Sequence, residues 1–238
     1  MIACDCEVCA SPNLKDKRLR SSILVQSKKT TIVVDAGPDF RQQMLKYDVK
    51  KLDAVLFTHS HKDHIAGLDD VRAYNYFQQS PMHIYGSEFT LNRIKNEFDY
   101  AFAAFKYPGV PSITTHIIEN ENFQVGDIII QPIPVWHLNM PVLGFRFGDF
   151  TYITDANRID PASKEKIRGS RVIVLNALRH EKHISHFNLR EAIALADELE
   201  VPNAYFTHLS HQMGFHEIIE NQLPAGRRLA YDGLTVKM

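Results

Sequence analysis

Residues 52–67 read LDAVLFTHSHKDHIAG, and this stretch decides the fold. An apolar run carrying Val55, Leu56 and Phe57 stops at Thr58 and gives way to His59, Ser60, His61, Lys62, Asp63 and His64. The run has the length and content of a strand buried on both faces. The histidines then fall at its C-terminal end, where parallel sheets place ligand sites. Three imidazoles and one carboxylate within six residues form a metal-liganding set that a solvated loop has no need to hold. His59 and His61 are spaced to reach one cation, while Asp63 and His64 turn towards a second. Nitrogen-rich donors of this kind suit zinc, manganese or iron better than calcium, which prefers all-oxygen shells.

Working outward, a chain of 238 residues with 45% hydrophobic side chains can bury one sizeable core, so residues 1–238 are read as a single domain. Its 27 basic and 28 acidic residues leave a formal charge of -1, which argues against a nucleic-acid partner. No apolar run approaches the roughly 20 residues of a membrane span, and MIACDCEVC lacks the layout of a secretory signal. The expectation is a soluble cytoplasmic protein with no membrane partner.

All three cysteines, Cys4, Cys6 and Cys9, fall in the first nine residues. An odd set cannot pair off, and C-x-C-x-x-C brings three thiolates within reach of one tetrahedral zinc that needs a fourth ligand. Residues 1–20 are thus expected to form a structural-zinc segment.

The remaining pattern is mixed α/β. Ser21 to Gln26 and Thr31 to Asp35 read as a hairpin, and Phe40 to Tyr47 as a short amphipathic helix. Gly67 to Gln79 reads as a helix with Leu68, Val71, Tyr74 and Tyr76 or Phe77 inward. Met82 to Tyr85 reads as a strand, and Ser87 as the cap of a helix running to about Tyr100. Residues 102–112 form an irregular insertion whose Phe102, Phe105 and Tyr107 are expected to pack on the body. A second β-rich block spans Thr114 to Thr154. Two of its strands end on candidate ligands, His137 and Asp155. Asn188 caps a helix over Leu189 to Glu200, and Ala204 to Phe206 runs into Thr207-His208-Leu209-Ser210-His211. The two similar halves suggest two layers of sheet and helix. His83, His116, His180, His183 and His216 are read as strand, surface or packing residues.

The run H-x-H-x-D-H resembles the signature of the metallo-β-lactamase superfamily, most of whose members are hydrolases with two metal ions. The resemblance implies a four-layer αββα sandwich with ligands along one rim. Carried over residue by residue, it makes His59, His61 and His137 the ligands of a first metal, and Asp63, His64 and His208 those of a second. Asp155 matches the carboxylate shared by both. A metal pair of this kind clamps a water as hydroxide near neutral pH, and Asp63 can also orient it. Ser185-His186-Phe187-Asn188-Leu189 and THLSHQ at 207–212, with the cysteine cluster, resemble the PhnP-type phosphodiesterases, which open a cyclic ribosyl phosphate. That likeness implies a structural zinc on Cys4, Cys6, Cys9 and His211, a homodimer, and a role for His186 as acid or phosphate binder. Members of that family usually begin with a glycine-rich strand ahead of the cysteines. Its absence from these residues is a departure.

The expected activity is hydrolysis of small, cyclic phosphodiesters by two divalent ions, zinc or manganese. An RNA end-processing phosphodiesterase like tRNase Z is the runner-up. A lactamase or glyoxalase-type thioesterase fits less well, because neither explains the cysteines or His186. A metal-binding module without catalysis is the alternative from a different class.

Overall fold

The computed structural model describes residues 1–238. They divide into two units, residues 20–132, and residues 133–238 with 1–19, each with its own hydrophobic core. No helix is long and apolar enough to cross a membrane.

In the first unit, β1 (Ile23–Gln26) and β2 (Thr31–Val34) form the expected antiparallel hairpin. Strands β3 (Ala54–Leu56), β4 (Met82–Gly86) and β5 (Ile113–Ile117) then add in parallel, giving the order β1-β2-β3-β4-β5. Parallel neighbours need long crossovers. The helices Phe40–Lys46, Arg72–Gln78 and Glu88–Glu97 lie within them. Val33, Val55 and Ile84 pack in one core with Leu68, Val71, Leu91 and Ile94. Each such side chain, fully buried, stabilises by about 1.5–3 kcal/mol. Ser87 caps its helix as expected, accepting from the Thr90 N–H. The C-terminal ends of β2 and β3 carry the residues of interest.

Three expectations fail in this unit. The segment after Gly67 is a 3-10 turn, Leu68–Val71, before it becomes an α-helix. Its last turn presents Gln78 to the body, where the side-chain amide bonds both N–H and C=O of Leu52, so Tyr76 and Phe77 stand 72% and 79% exposed. Residues 113–117 belong to the first sheet, because the crossover through Glu88–Glu97 returns the chain parallel to β4. Phe105 and Tyr107 are 99% and 81% exposed instead of packed, while Phe102 does lean on the core.

The short strand β6 (Phe123–Val125) pairs antiparallel with the start of β7 (Ile128–His137) across a turn at Gly126 and Asp127. In the second unit follow β8 (Met140–Phe147), β9 (Phe150–Ile153), β10 (Val172–Asn176), β11 (Asn203–Thr207) and β12 (Arg227–Leu229). The sheet order is β12-β11-β10-β9-β8-β7-β6, parallel from β9 to β12. The helices Pro161–Ile167 and Leu189–Glu198 make the crossovers, the latter closed by a full capping box between Asn188 and Glu191. Strand β12, three residues starting with two arginines, carries too little periodicity to be read from sequence.

Candidate metal centre

In the first unit the ligand candidates follow β3 directly. His59 and His64 are buried, with ring centroids 4.2 Å apart, and His61 lies 4.6 Å from His59 on the exposed side. Asp63 Oδ2 is 3.7 Å from His64 Nε2. Gly37 makes this loop possible, since a Cβ there would stand 2.1 Å from the Asp63 carbonyl oxygen.

Behind the loop lies a residue that the sequence reading missed. Asp35, fully buried at the end of β2, accepts from His64 Nδ1 at 2.7 Å and from the Thr58 N–H at 2.9 Å. It also accepts from Thr58 Oγ1 at 2.8 Å. Because that hydroxyl donates to Asp35, it accepts the Nδ1–H of His59 at 2.9 Å. One carboxylate thereby sets the tautomer of two imidazoles and leaves Nε2 of each as the basic nitrogen. Burial pushes the Asp35 carboxyl up, and His64 and Thr58 oppose the shift. The signal in the sequence was Asp-Ala-Gly directly after the apolar run Ile32-Val33-Val34.

In the second unit three strand ends supply candidates. His137 closes β7, Asp155 follows β9 and His208 follows β11. His208 Nε2 lies 3.2 Å from Asp155 Oδ1, and Thr154 Oγ1 donates to the same oxygen at 2.7 Å. His137 Nδ1 donates to the Ser185 carbonyl at 2.7 Å, which again leaves Nε2 as the basic nitrogen. Asp35, Asp155 and His208 all adopt left-handed backbone, with φ of 66°, 52° and 56°. Such strain in side-chain-bearing residues gathers at functional sites.

His186 stands among these groups. Its ring stacks on His208 at 4.9 Å and meets His137 edge-on at 4.6 Å. Asp155, His186 and His208 each offer a ligand atom within 4.8 Å of the others. Burial lowers the His186 imidazole to about 3, against the pull of Asp155, and its buried Nδ1 has no hydrogen-bond partner. His183, read as a bland residue, lies beside it with ring centroids 5.1 Å apart.

Cys4, Cys6, Cys9 and His211 also come together within the second unit, with donor atoms inside 4.8 Å. His211 Nδ1 lies 3.4 Å from Cys4 Sγ and 3.3 Å from Cys6 Sγ. The hydrogen bond to His211, then the Cys9 N–H, lowers the Cys6 thiol to about 6, so it ionises readily as a zinc ligand must. The second unit holds the cysteine segment by further bonds, from Leu19 N to Asp232 at 2.9 Å and from His216 N to Asp16 at 2.7 Å.

The donor chemistry fits divalent metal. Liganding histidines typically hand their second N–H to a carboxylate or a carbonyl, and His64 and His137 do so here. Three thiols with one imidazole are a zinc set, and imidazole with carboxylate admits zinc or manganese.

Comparison with known proteins agrees. Residues 30–209 match the family described as "Beta-lactamase superfamily domain". A crystal structure described as a new diphosphatase from the PhnP family is 38% identical, with a TM-score of 0.93, covering 100% of this chain and 91% of that one. An octanoyltransferase of Porphyromonas gingivalis is 34% identical over 98% of this chain and 48% of its own length. A ribonuclease Z of Thermococcus kodakarensis is 30% identical over 62% of this chain and 45% of its own length. The chain thus spans about half the length of the curated relatives it matches. Its two sheets and interleaved helices are those of the metallo-β-lactamase fold, as the sequence led us to expect. The chain belongs to the β-lactamase superfamily and, within it, to the PhnP family.

Proposed function

We propose that this chain is a metal-dependent hydrolase of small phosphodiesters, cyclic ones among them, working with two divalent cations. His59, His61 and His137 would hold one cation, Asp63, His64 and His208 the other, and Asp155 would be shared. When bound, such a pair lowers the pKa of a water and offsets the charge that builds on phosphorus. Asp63 would orient the attacking water through its second carboxylate oxygen. His186 gives a ring N–H to a phosphoryl oxygen or to the departing one. Cys4, Cys6, Cys9 and His211 would hold a separate zinc that ties residues 1–20 to the loop carrying His208.

The observation that carries this reading is the relay from His59 and His64 to Asp35, which prepares two imidazoles for a cation. The likeness to the PhnP-family diphosphatase supports a phosphorus centre, and extends the substrate class to diphosphate linkages, where one phosphorus is also a diester. The octanoyltransferase likeness covers less than half of that protein, so its acyl transfer is not carried over. RNA end-processing is the second reading, favoured by the ribonuclease Z likeness but over 62% of this chain only.

Metal-loaded protein should turn over bis(p-nitrophenyl) phosphate and at least one cyclic phosphate or diphosphate ester. Cleavage of a tRNA precursor with no small ester turned over would favour the second reading. Metals bound without any hydrolysis would leave a binding module.

A further inference from the structure

Arg20 is anchored by its backbone and not by its side chain. Its backbone is fixed on both sides, with the N–H donated to Asp39 Oδ2 at 2.8 Å and the carbonyl accepting from Gln43 Nε2 at 3.0 Å. Gly37 closes the fit, since a Cβ there would stand 3.4 Å from Arg20 Cβ. The guanidinium, by contrast, is uncommitted. Its side chain is 59% exposed, and its ionic contact is with Asp63 Oδ2 at 3.9 Å, too long for a hydrogen bond. Arg146 shows what a structural arginine looks like in this chain, with Nε and Nη1 donating to the carbonyls of Gly148, Lys166 and Arg168.

Position gives this free fork a meaning. Asp63 is a candidate ligand of the second cation, so the guanidinium stands one group away from where the scissile phosphorus would bind. The planar fork of arginine matches two oxygens of one phosphoryl group.

We infer that Arg20 binds the phosphoryl group next to the scissile one. It would thereby favour diphosphate-type and other doubly phosphorylated small esters over simple diesters. The inference rests on the proposed phosphodiesterase reading and names the substrate class of that site.

The test is calorimetric binding of methylenediphosphonate and of methylphosphonate to metal-loaded wild type, Arg20→Gln and Arg20→Lys. Loss of a bidentate charged contact should weaken methylenediphosphonate binding by about 10- to 100-fold in Arg20→Gln. Methylphosphonate binding should change by less than about 3-fold, and Arg20→Lys should recover part of the loss. Metal content and the unfolding midpoint report whether the variants keep the centre intact. Equal weakening of both ligands, or a fall in bound metal, would overturn the inference and make Arg20 a partner of Asp63 only. No weakening of either would overturn it as well. Failure of the wild type to cleave any phosphodiester counts against the proposed function instead, since the binding comparison stands apart from turnover.

Discussion

Thr58 Oγ1 donates to Asp35 at 2.8 Å while lying 2.9 Å from His59 Nδ1, so one buried hydroxyl couples a carboxylate just after β2 to an imidazole after β3. Strands β2 and β3 are parallel neighbours with Val34 opposite Leu56. Their ends therefore emerge side by side, and Asp35 reaches the histidine loop without any long-range closure. The left-handed backbone of Asp35 turns its carboxylate into that loop at some conformational cost.

Asp35→Asn tests the relay. An amide has one acceptor oxygen, so either the Thr58 N–H or the Thr58 hydroxyl and His64 Nδ1 together would face its NH2 group. Metal affinity should fall about 10- to 100-fold, measured by competition with a chromogenic chelator. Stability should fall by about 1–3 kcal/mol from the buried group left unpaired. Wild-type affinity in this variant would mean that His59 and His64 orient themselves.

The cysteine cluster makes a separate prediction. Cys4→Ser replaces a thiolate donor with a poor zinc ligand, so elemental analysis should find one zinc fewer per chain. His211 would then lose the partner it has at 3.4 Å, and the bonds tying residues 13–19 to the rest of the second unit should become easier to open by protease. An unchanged zinc count would refute the structural site.

Stability should also depend on pH through a pair away from both clusters. His83 Nδ1 and His116 Nε2 are 2.8 Å apart, and His116 stacks on Tyr85 with centroids 4.4 Å apart. Burial first, and His83 second, hold His116 below its ordinary value. The unfolded chain takes up this proton below about pH 6.5, and the folded chain resists it. The contribution is therefore complete above that pH and is lost as pH falls towards the lower folded value. Urea midpoints across about pH 8 to 5 should decline less steeply in His116→Gln than in wild type. Parallel slopes would mean that the pair shares its proton without cost.

Much of this was legible in the residues because the decisive features are local. The buried strand at 54–57, the ligand-rich run after it, and the hairpin, caps and crossover helices each announce themselves within a short window. Asp35 was hidden, since an aspartate two residues before Gly37 reads as an ordinary turn until its partners 23 and 29 residues away are known. The outward turn of Phe77 was hidden too, because Gln78 wins that position through two backbone bonds that hydrophobic periodicity does not see. His183 stands three residues before His186, but spacing alone does not show that the two rings meet.

The central claim is that two ligand sets, His59, His61, Asp63 and His64 with His137, Asp155 and His208, serve one pair of cations. Crystals grown with zinc or manganese and measured at the metal absorption edge test it most directly. The account predicts two anomalous peaks roughly 3.5–4 Å apart with Asp155 bound to both. Peaks far apart, or a single peak whose ligands come from one set alone, would contradict it.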